Sequence, residues 1–346
     1  MRLRRRGQPA RTQAAVSPDS QLLAGFDAGQ THTTCRLATL AGEPIAEGKG
    51  PGVGHLAAPE GPKRFQEALR ESLVRARAKL VDCQAPQAIW PLAAAAIGAS
   101  GIEHGSPVQQ QGLQLAVASL GLSEDRLVVT GDERTALAGA FPDGEGIVVI
   151  SGTGTIALGR DRSGHHHRCG GWGWLLDGAG SAMDIGRDGL SLSLRMADGR
   201  HPDGPLRPAL WHALGLEPQN PQSPQQIKAR VVMPNFGPAG FAALAPVVEQ
   251  QAAAGDELAR GILQRHGEAL VEMVVAVAKR LQLVSPPVSA LGGAITHLNH
   301  FRQAYLLALS AALPEGIPQE PAGDGCAGAI SLAASRLDPS ERYWPA

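Results

Sequence analysis

Residues 148–159 read VVISGTGTIALG. A β-prone run ends in Ser151-Gly152-Thr153-Gly154-Thr155, and a second apolar run begins at once. Two such runs around a short glycine-containing stretch read as a hairpin. An ordinary hairpin turn needs one glycine; this tip has two, with three hydroxyls around them. Glycine lets main-chain N–H groups approach an anion with no Cβ in the way, and Ser and Thr add short-reach donors. Alone the tip reads as a tight turn with no ligand; a matching tip elsewhere in the chain would turn the reading to phosphate binding.

A second tip of the same kind lies near the start. LLAGFD (22–27) reads as a strand, AGQT (28–31) as its turn, TCRLATL (34–40) as the returning strand and AGEP (41–44) as the next turn. Working outward, PKRFQEALRESLVRARAKL (62–80) is expected to be a helix with Phe65, Leu69, Leu73, Ala76 and Leu80 on one stripe. AIWPLAAAAIG (88–98) reads as a buried strand, and 106–121 as a helix with Ser at the N-cap, Pro at N1 and Gly past its end. Strand 127–130 and helix 133–141 close the first half. The second half repeats the plan: hairpin 146–160, a third strand near 166–169, strand 288–291, a Gly-Gly turn, and helices 300–313 and 326–335. Extra helical material fills about 183–284. The expected fold is α/β: two similar domains, 22–142 and 143–346, sharing a cleft, after a disordered leader over 1–21.

The chain has 346 residues, which suits two domains, with 43% hydrophobic and 18% charged residues and a formal net charge of −1. That balance gives no pull toward nucleic acid or an acidic membrane surface. The four cysteines Cys35, Cys83, Cys169 and Cys326 form no CxxC pair, so neither a zinc ribbon nor a thioredoxin motif is suggested. Scattered single cysteines and the lack of a spanning apolar run lead to the expectation of a cytoplasmic protein with no membrane partner. The basic start, MRLRRRGQPARTQ, has no apolar core and is not read as a secretory signal. His165-His166-His167 invites a metal, but in an extended hairpin these side chains alternate in direction and do not converge.

Several stretches together resemble the sugar kinase–Hsp70–actin ATPase superfamily, and within it the N-acetylglucosamine kinase and BadF/BadG-type ATPase branch. GFDAGQTHTTCRL (25–37) is similar to its first phosphate motif and VVTGDERTALAGA (128–140) to its catalytic-aspartate segment. VVISGTGTIALG is similar to the second phosphate motif, CGGWGWLLDGAGSAMDIG (169–186) to the branch's GGWG…GS segment, and ALGGAITHLNHFRQAYLLAL (290–309) to the adenosine motif. The resemblance spans about 22–335, in order, with the GGWG and SGTG stretches its most specific parts. It implies two ribonuclease H-like, actin-like ATPase domains, ATP and Mg²⁺ as cofactors, and a small sugar as partner; a second copy of the chain stays open as another.

The resemblance also assigns roles. Asp132, between a strand and a helix, would take the proton of the attacking hydroxyl, although an aspartate there also suits a helix N-cap. Asp27 would hold Mg²⁺, usually through water. Gly29, Thr31, Gly152, Thr153, Gly154 and Thr155 would line the phosphates, and Gly292 and Gly293 would let the chain pass close to the adenosine, a βα turn being the plain alternative. Ser100, Asp132, Thr153, Gly154, Gly171, Trp172 and Asp177 would face the sugar; for Trp172 the alternative is core or hinge packing.

Three departures bear on the acceptor. The first phosphate motif usually has three glycines, whereas this chain has Asp27-Ala28-Gly29-Gln30. The sugar-binding Asn of the family is replaced by Gly54, beside His55. The Gly-Asp-Glu-Gly-Ser run reads Asp177-Gly178-Ala179-Gly180-Ser181, so its aspartate has moved back one place or lost its role. The leading expectation is an ATP-dependent kinase for a sugar or amino sugar. The alternative is a BadF/BadG-type ATPase without kinase activity, either an activator or a nucleotide or sugar sensor. An activator's iron–sulfur cluster needs two thiolates from each subunit of a dimer, and the cysteine spacing here shows no such set.

Overall fold

The structure, a computed structural model, describes residues 21–84 and 90–337. Residues 1–20 of the leader expected over 1–21, the first residues of the strand expected from 88, and residues 338–346 lie outside the described residues, as does the side chain of Cys83.

The first unit contains β1 (Leu22–Ala28), β2 (His32–Ala38), β3 (Pro44–Pro51), α1 (Gly61–Gln84), β4 (Leu92–Ala99), α2 (Pro107–Leu120), β5 (Leu127–Thr130) and α3 (Asp132–Ala140). Its sheet runs β3-β2-β1-β4-β5, with β2 antiparallel to β1 and β3, and β4 parallel to β1 and β5. The second unit holds β6 (Gly146–Ser151), β7 (Thr155–Arg160), β8 (His166–Gly170), α4 (Ala182–Ala197), α5 (Leu206–Ala213), α6 (Ser223–Val231), α7 (Gly237–Ala242), α8 (Ala245–Ala253), α9 (Glu257–Arg280), β9 (Pro287–Leu291), α10 (Gly293–His297), α11 (Asn299–Ala312) and β10 (Ile317–Pro318). Its sheet runs β8-β7-β6-β9-β10, the same order with the same directions. The two halves are thus one ribonuclease H-like plan written twice.

Local chemistry explains these elements. Ser106 caps α2 by accepting the Gln109 N–H, and Gly121 ends it in the left-handed region at φ 69°. The α1 stripe is buried as its spacing requires: Phe65, Leu69, Leu73, Ala76 and Leu80 are all core residues with Phe26, Trp90 and Ile97. In the second unit α9 is the central support. Its buried face of Ile262, Leu270, Val274 and Val277 packs with Ile147, Val149, Trp211 and Phe301.

The last helix, α12 (Gly325–Ala334), departs from the domain division drawn at 142/143. The described residues from Asp324 to Leu337 group with the first unit, whose other part ends at Gly139. The physical reason is β1. Leu22, Ala24, Phe26 and Ala28 point into the core beneath α1, so Leu23, Gly25 and Asp27 point the other way, and α12 covers that face. A Cβ on Gly25 would lie 2.7 Å from the Cys326 carbonyl oxygen, so only glycine lets the helix backbone come this close.

Candidate functional site

In the first unit, β1, β4 and β5 run parallel and their carboxyl ends gather the polar side chains, as in other open α/β sheets. Asp27 is the last residue but one of β1, Ser100 follows β4 and donates its N–H to Ala28 O at 3.0 Å, and Asp132 is the first residue of α3 after β5. The turn after β1 is closed by Gly29 N–H to His32 O at 3.0 Å, with Gln30 and Thr31 exposed at its tip. Gln30 stays out of the left-handed region, so it keeps the turn without strain.

The electrostatics of this corner are acidic. Asp132 is pushed up to about 7, first by burial and then by the charges of Glu133 and Asp27. Asp27 is itself raised, first by burial and then by Asp324, with His32 and Arg36 pulling the other way. The carboxyl end of the sheet thus holds carboxylates that favour a proton or a cation. A Cβ on Gly325 would meet the Asp27 carboxylate carbon at 3.1 Å, so the start of α12 presses on that group. Sequence reading had singled out neither Glu133 nor Asp324; Asp324 arrives from the far end of the chain. Among the described residues no set of three or more His, Cys, Asp and Glu side chains forms a metal cage.

In the second unit, Gly152 N–H closes on Gly154 O at 2.9 Å, leaving Thr153 and Gly154 exposed at the tip. Cβ atoms on Gly152 or Gly154 would meet nothing within 4 Å, so this side of the turn is open. Thr155 is different. Its hydroxyl donates to Ala179 O at 3.2 Å, just as Ser151 donates to Gly180 O at 2.6 Å, so both are engaged with the loop before α4. Gly292 lies at φ 99°, where a Cβ would sit 2.4 Å from Ser151 O, which fixes the β9–α10 turn against the end of β6. Beside it a pocket of about 310 Å³ is lined by Ala290, Ile295, Thr296, Arg302 and Tyr305 of the adenosine-like segment, and by Val288 and residues 318–320 outside it.

The acceptor candidates differ in setting. Gly171 packs on Ile156, where a Cβ would come within 2.8 Å of Cδ1. Trp172 is 62% exposed, with the Arg168 guanidinium 4.6 Å from its ring centre, so core packing does not account for it. Asp177 is half-buried near Gly170, while the space beside Gly178 is taken by Asp184, whose Oδ2 would lie 2.8 Å from a Cβ there. Asp184 is buried and pairs with Arg187 at 2.6 Å. Gly54 is left-handed at φ 63°, and the Arg64 guanidinium from α1 lies over it, 3.3 Å from a Cβ position. No described helix is long and apolar enough to cross a membrane.

A family model described as the BadF/BadG/BcrA/BcrD ATPase family matches residues 24–333. The chain is 28% identical, over 91% of its length and 98% of the relative's, to an N-acetylmuramic acid/N-acetylglucosamine kinase of Clostridium acetobutylicum. It is 34% identical over 146 residues, 42% of the relative, to an N-acetyl-D-glucosamine kinase of Dictyostelium discoideum. A solved structure from Chromobacterium violaceum, described as a candidate N-acetylglucosamine kinase, matches with TM-score 0.71 at 28% identity, over 91% of this chain and 99% of that one.

Proposed function

We propose that this chain, which belongs to the BadF/BadG/BcrA/BcrD ATPase family, transfers the γ-phosphate of ATP to a hydroxyl of an N-acetylated amino sugar. The observation that carries the reading is Asp132: a carboxylate at the head of α3 whose affinity for a proton is raised to the working range of a general base. It takes the proton of the acceptor hydroxyl as that oxygen attacks the phosphorus. The relatives that act on N-acetylglucosamine and N-acetylmuramic acid support this acceptor class.

Asp27 suits Mg²⁺. A hard cation brought in by the nucleotide keeps most of its water and needs one or two carboxylates rather than a protein cage, and Asp27 is a carboxylate whose proton affinity is raised by burial and by Asp324. When bound, the ion neutralises phosphate charge. Thr31 and the exposed Gly152–Gly154 turn donate to the phosphates; Gly292, Gly293 and the neighbouring pocket receive the adenosine. Trp172 forms a wall for the sugar.

A sensor without turnover is the second reading, motivated by Gly54 under Arg64 and Gly178 beside Asp184, where the acceptor side is rebuilt. A cluster-bearing activator is disfavoured: Cys35 and Cys326 are buried, whereas a cluster shared between two subunits needs thiolates at their common surface. The deciding experiment measures ADP release from MgATP with N-acetylglucosamine, N-acetylmuramic acid and glucose, in wild type and Asp132→Asn. Sugar-dependent release abolished by the substitution supports the kinase; nucleotide binding with no sugar-dependent release supports the sensor.

A further inference from the structure

Between the GGWG stretch and α4, the loop at 179–182 is bound to both strands that carry the Gly152–Gly154 turn. Gly180 O accepts from Ser151 Oγ at 2.6 Å, Ala179 O accepts from Thr155 Oγ1 at 3.2 Å, and the Ala182 N–H donates to Gly152 O at 2.8 Å. Ser151 and Thr155 face each other in the β6–β7 register, so the loop holds the turn from both sides. Beyond Gly152 the tip is open: Thr153 and Gly154 are exposed.

The loop is in turn held by one side chain of α9. His266 is 5% exposed, and its Nδ1 accepts the Gly180 N–H at 2.9 Å. Its Nε2 lies 3.3 Å from Asp188 Oδ2 on α4. A ring nitrogen that accepts carries no proton, so the neutral ring has its proton on Nε2, the side nearer Asp188, although the two make no hydrogen bond of good geometry. Gly180 sits at φ 89° on the surface of α9, where a Cβ would lie 2.5 Å from Leu270 Cδ2. A side chain at 180 would therefore push the loop off the helix, and glycine brings its N–H within reach of the imidazole.

We propose that His266, as the neutral Nε2–H tautomer, is a positioning residue for nucleotide binding: through Gly180 it sets the loop at 179–182, and through Ser151, Thr155 and Gly152 it sets the Gly152–Gly154 turn. This rests on the reading of that turn as a phosphate site. Without the Nδ1 acceptor the Gly180 N–H is buried and unpaired, and the loop relaxes away from α9. Asn at 266 places a carbonyl oxygen close to the Nδ1 position and so preserves the acceptor; Leu fills similar space and removes it.

The test is calorimetric binding of the magnesium complex of a non-hydrolysable ATP analogue to wild type, His266→Leu and His266→Asn, together with nitrogen-15 NMR of the His266 ring in wild type. The expected result is nucleotide binding about tenfold weaker in His266→Leu, within threefold of wild type in His266→Asn, and a ring protonated at Nε2 alone. Equal affinity in His266→Leu, equal losses in both variants, or a proton on Nδ1 overturns the proposal. Wild type that binds the nucleotide but phosphorylates no sugar defeats the kinase reading and leaves this series to decide the role of His266. Wild type that binds no nucleotide defeats both.

Discussion

Arg36 of β2 grips Asp324 through two parallel hydrogen bonds of 2.7 Å each, and Asp324 caps α12 by accepting the Ala327 N–H at 2.9 Å. One carboxylate thus ties the last helix to the first sheet and also raises the neighbouring Asp27. Burial alone would raise Asp324, but the Arg36 hydrogen bond and the Ala327 N–H bring it below the ordinary value. Its folded state therefore gains from ionisation, a gain present above the unfolded carboxyl's pKa and lost as the pH falls through the depressed one. Asp324→Ala is expected to cost about 1–2 kcal/mol in urea unfolding at pH 7, most of it from the lost cap because Asp324 is half-exposed, and much less at pH 3.

Asp132 has the opposite sign. Its folded pKa, near 7, lies above the ordinary 3.8, so its ionisation opposes folding between those values and fully above the upper one. Asp132→Asn is expected to abolish turnover while stabilising the protein at pH 8, with the difference fading as the pH falls through 4. Thermal melts across pH read the second effect. Wild-type kcat/KM should rise with pH to a plateau above about 7 as the base loses its proton.

Thr153 and Thr155 are separable. Thr153→Val removes an exposed donor and should raise the KM for MgATP about tenfold with unchanged stability. Thr155→Val strands the Ala179 carbonyl and should cost about 1 kcal/mol of stability. Paired kinetics and melting curves check both.

Gly292→Ala would place a methyl 2.4 Å from Ser151 O at a φ of 99°. The expected loss is about 3 kcal/mol or more, seen as insoluble protein or a much lower Tm.

Trp172→Ala should leave the Tm within a few degrees, because the ring is largely exposed, and raise the KM for the sugar several-fold. A large fall in Tm with an unchanged sugar KM would return Trp172 to a packing role.

Much of this was legible beforehand because hairpin tips, caps and periodic stripes are local signals: Ser106, Gly121 and the Phe65–Leu80 stripe all act where spacing put them. The partner of α12 was not legible, because a 3.6-residue period identifies a helix and not the sheet it covers; a side chain at Gly25 is excluded only by a neighbour some 300 residues away. Asp184 and His266 escaped for the same reason. Each lies in an ordinary amphipathic helix, and only the tertiary fold brings one beside Gly178 and the other beneath Gly180.

The placement of α12 also sets a timetable. On the ribosome, β1 emerges early, but the helix that covers its outer face comes only after the roughly 300 residues between Ala28 and Gly325, about 15 to 60 s later at ordinary synthesis rates. During that wait Leu23 and the backbone around Gly25 lack their cover, while the second unit has all its strands and can fold first. The half of the protein that is made first is therefore finished last, and a nascent chain paused before Asp324 is a natural client for a chaperone.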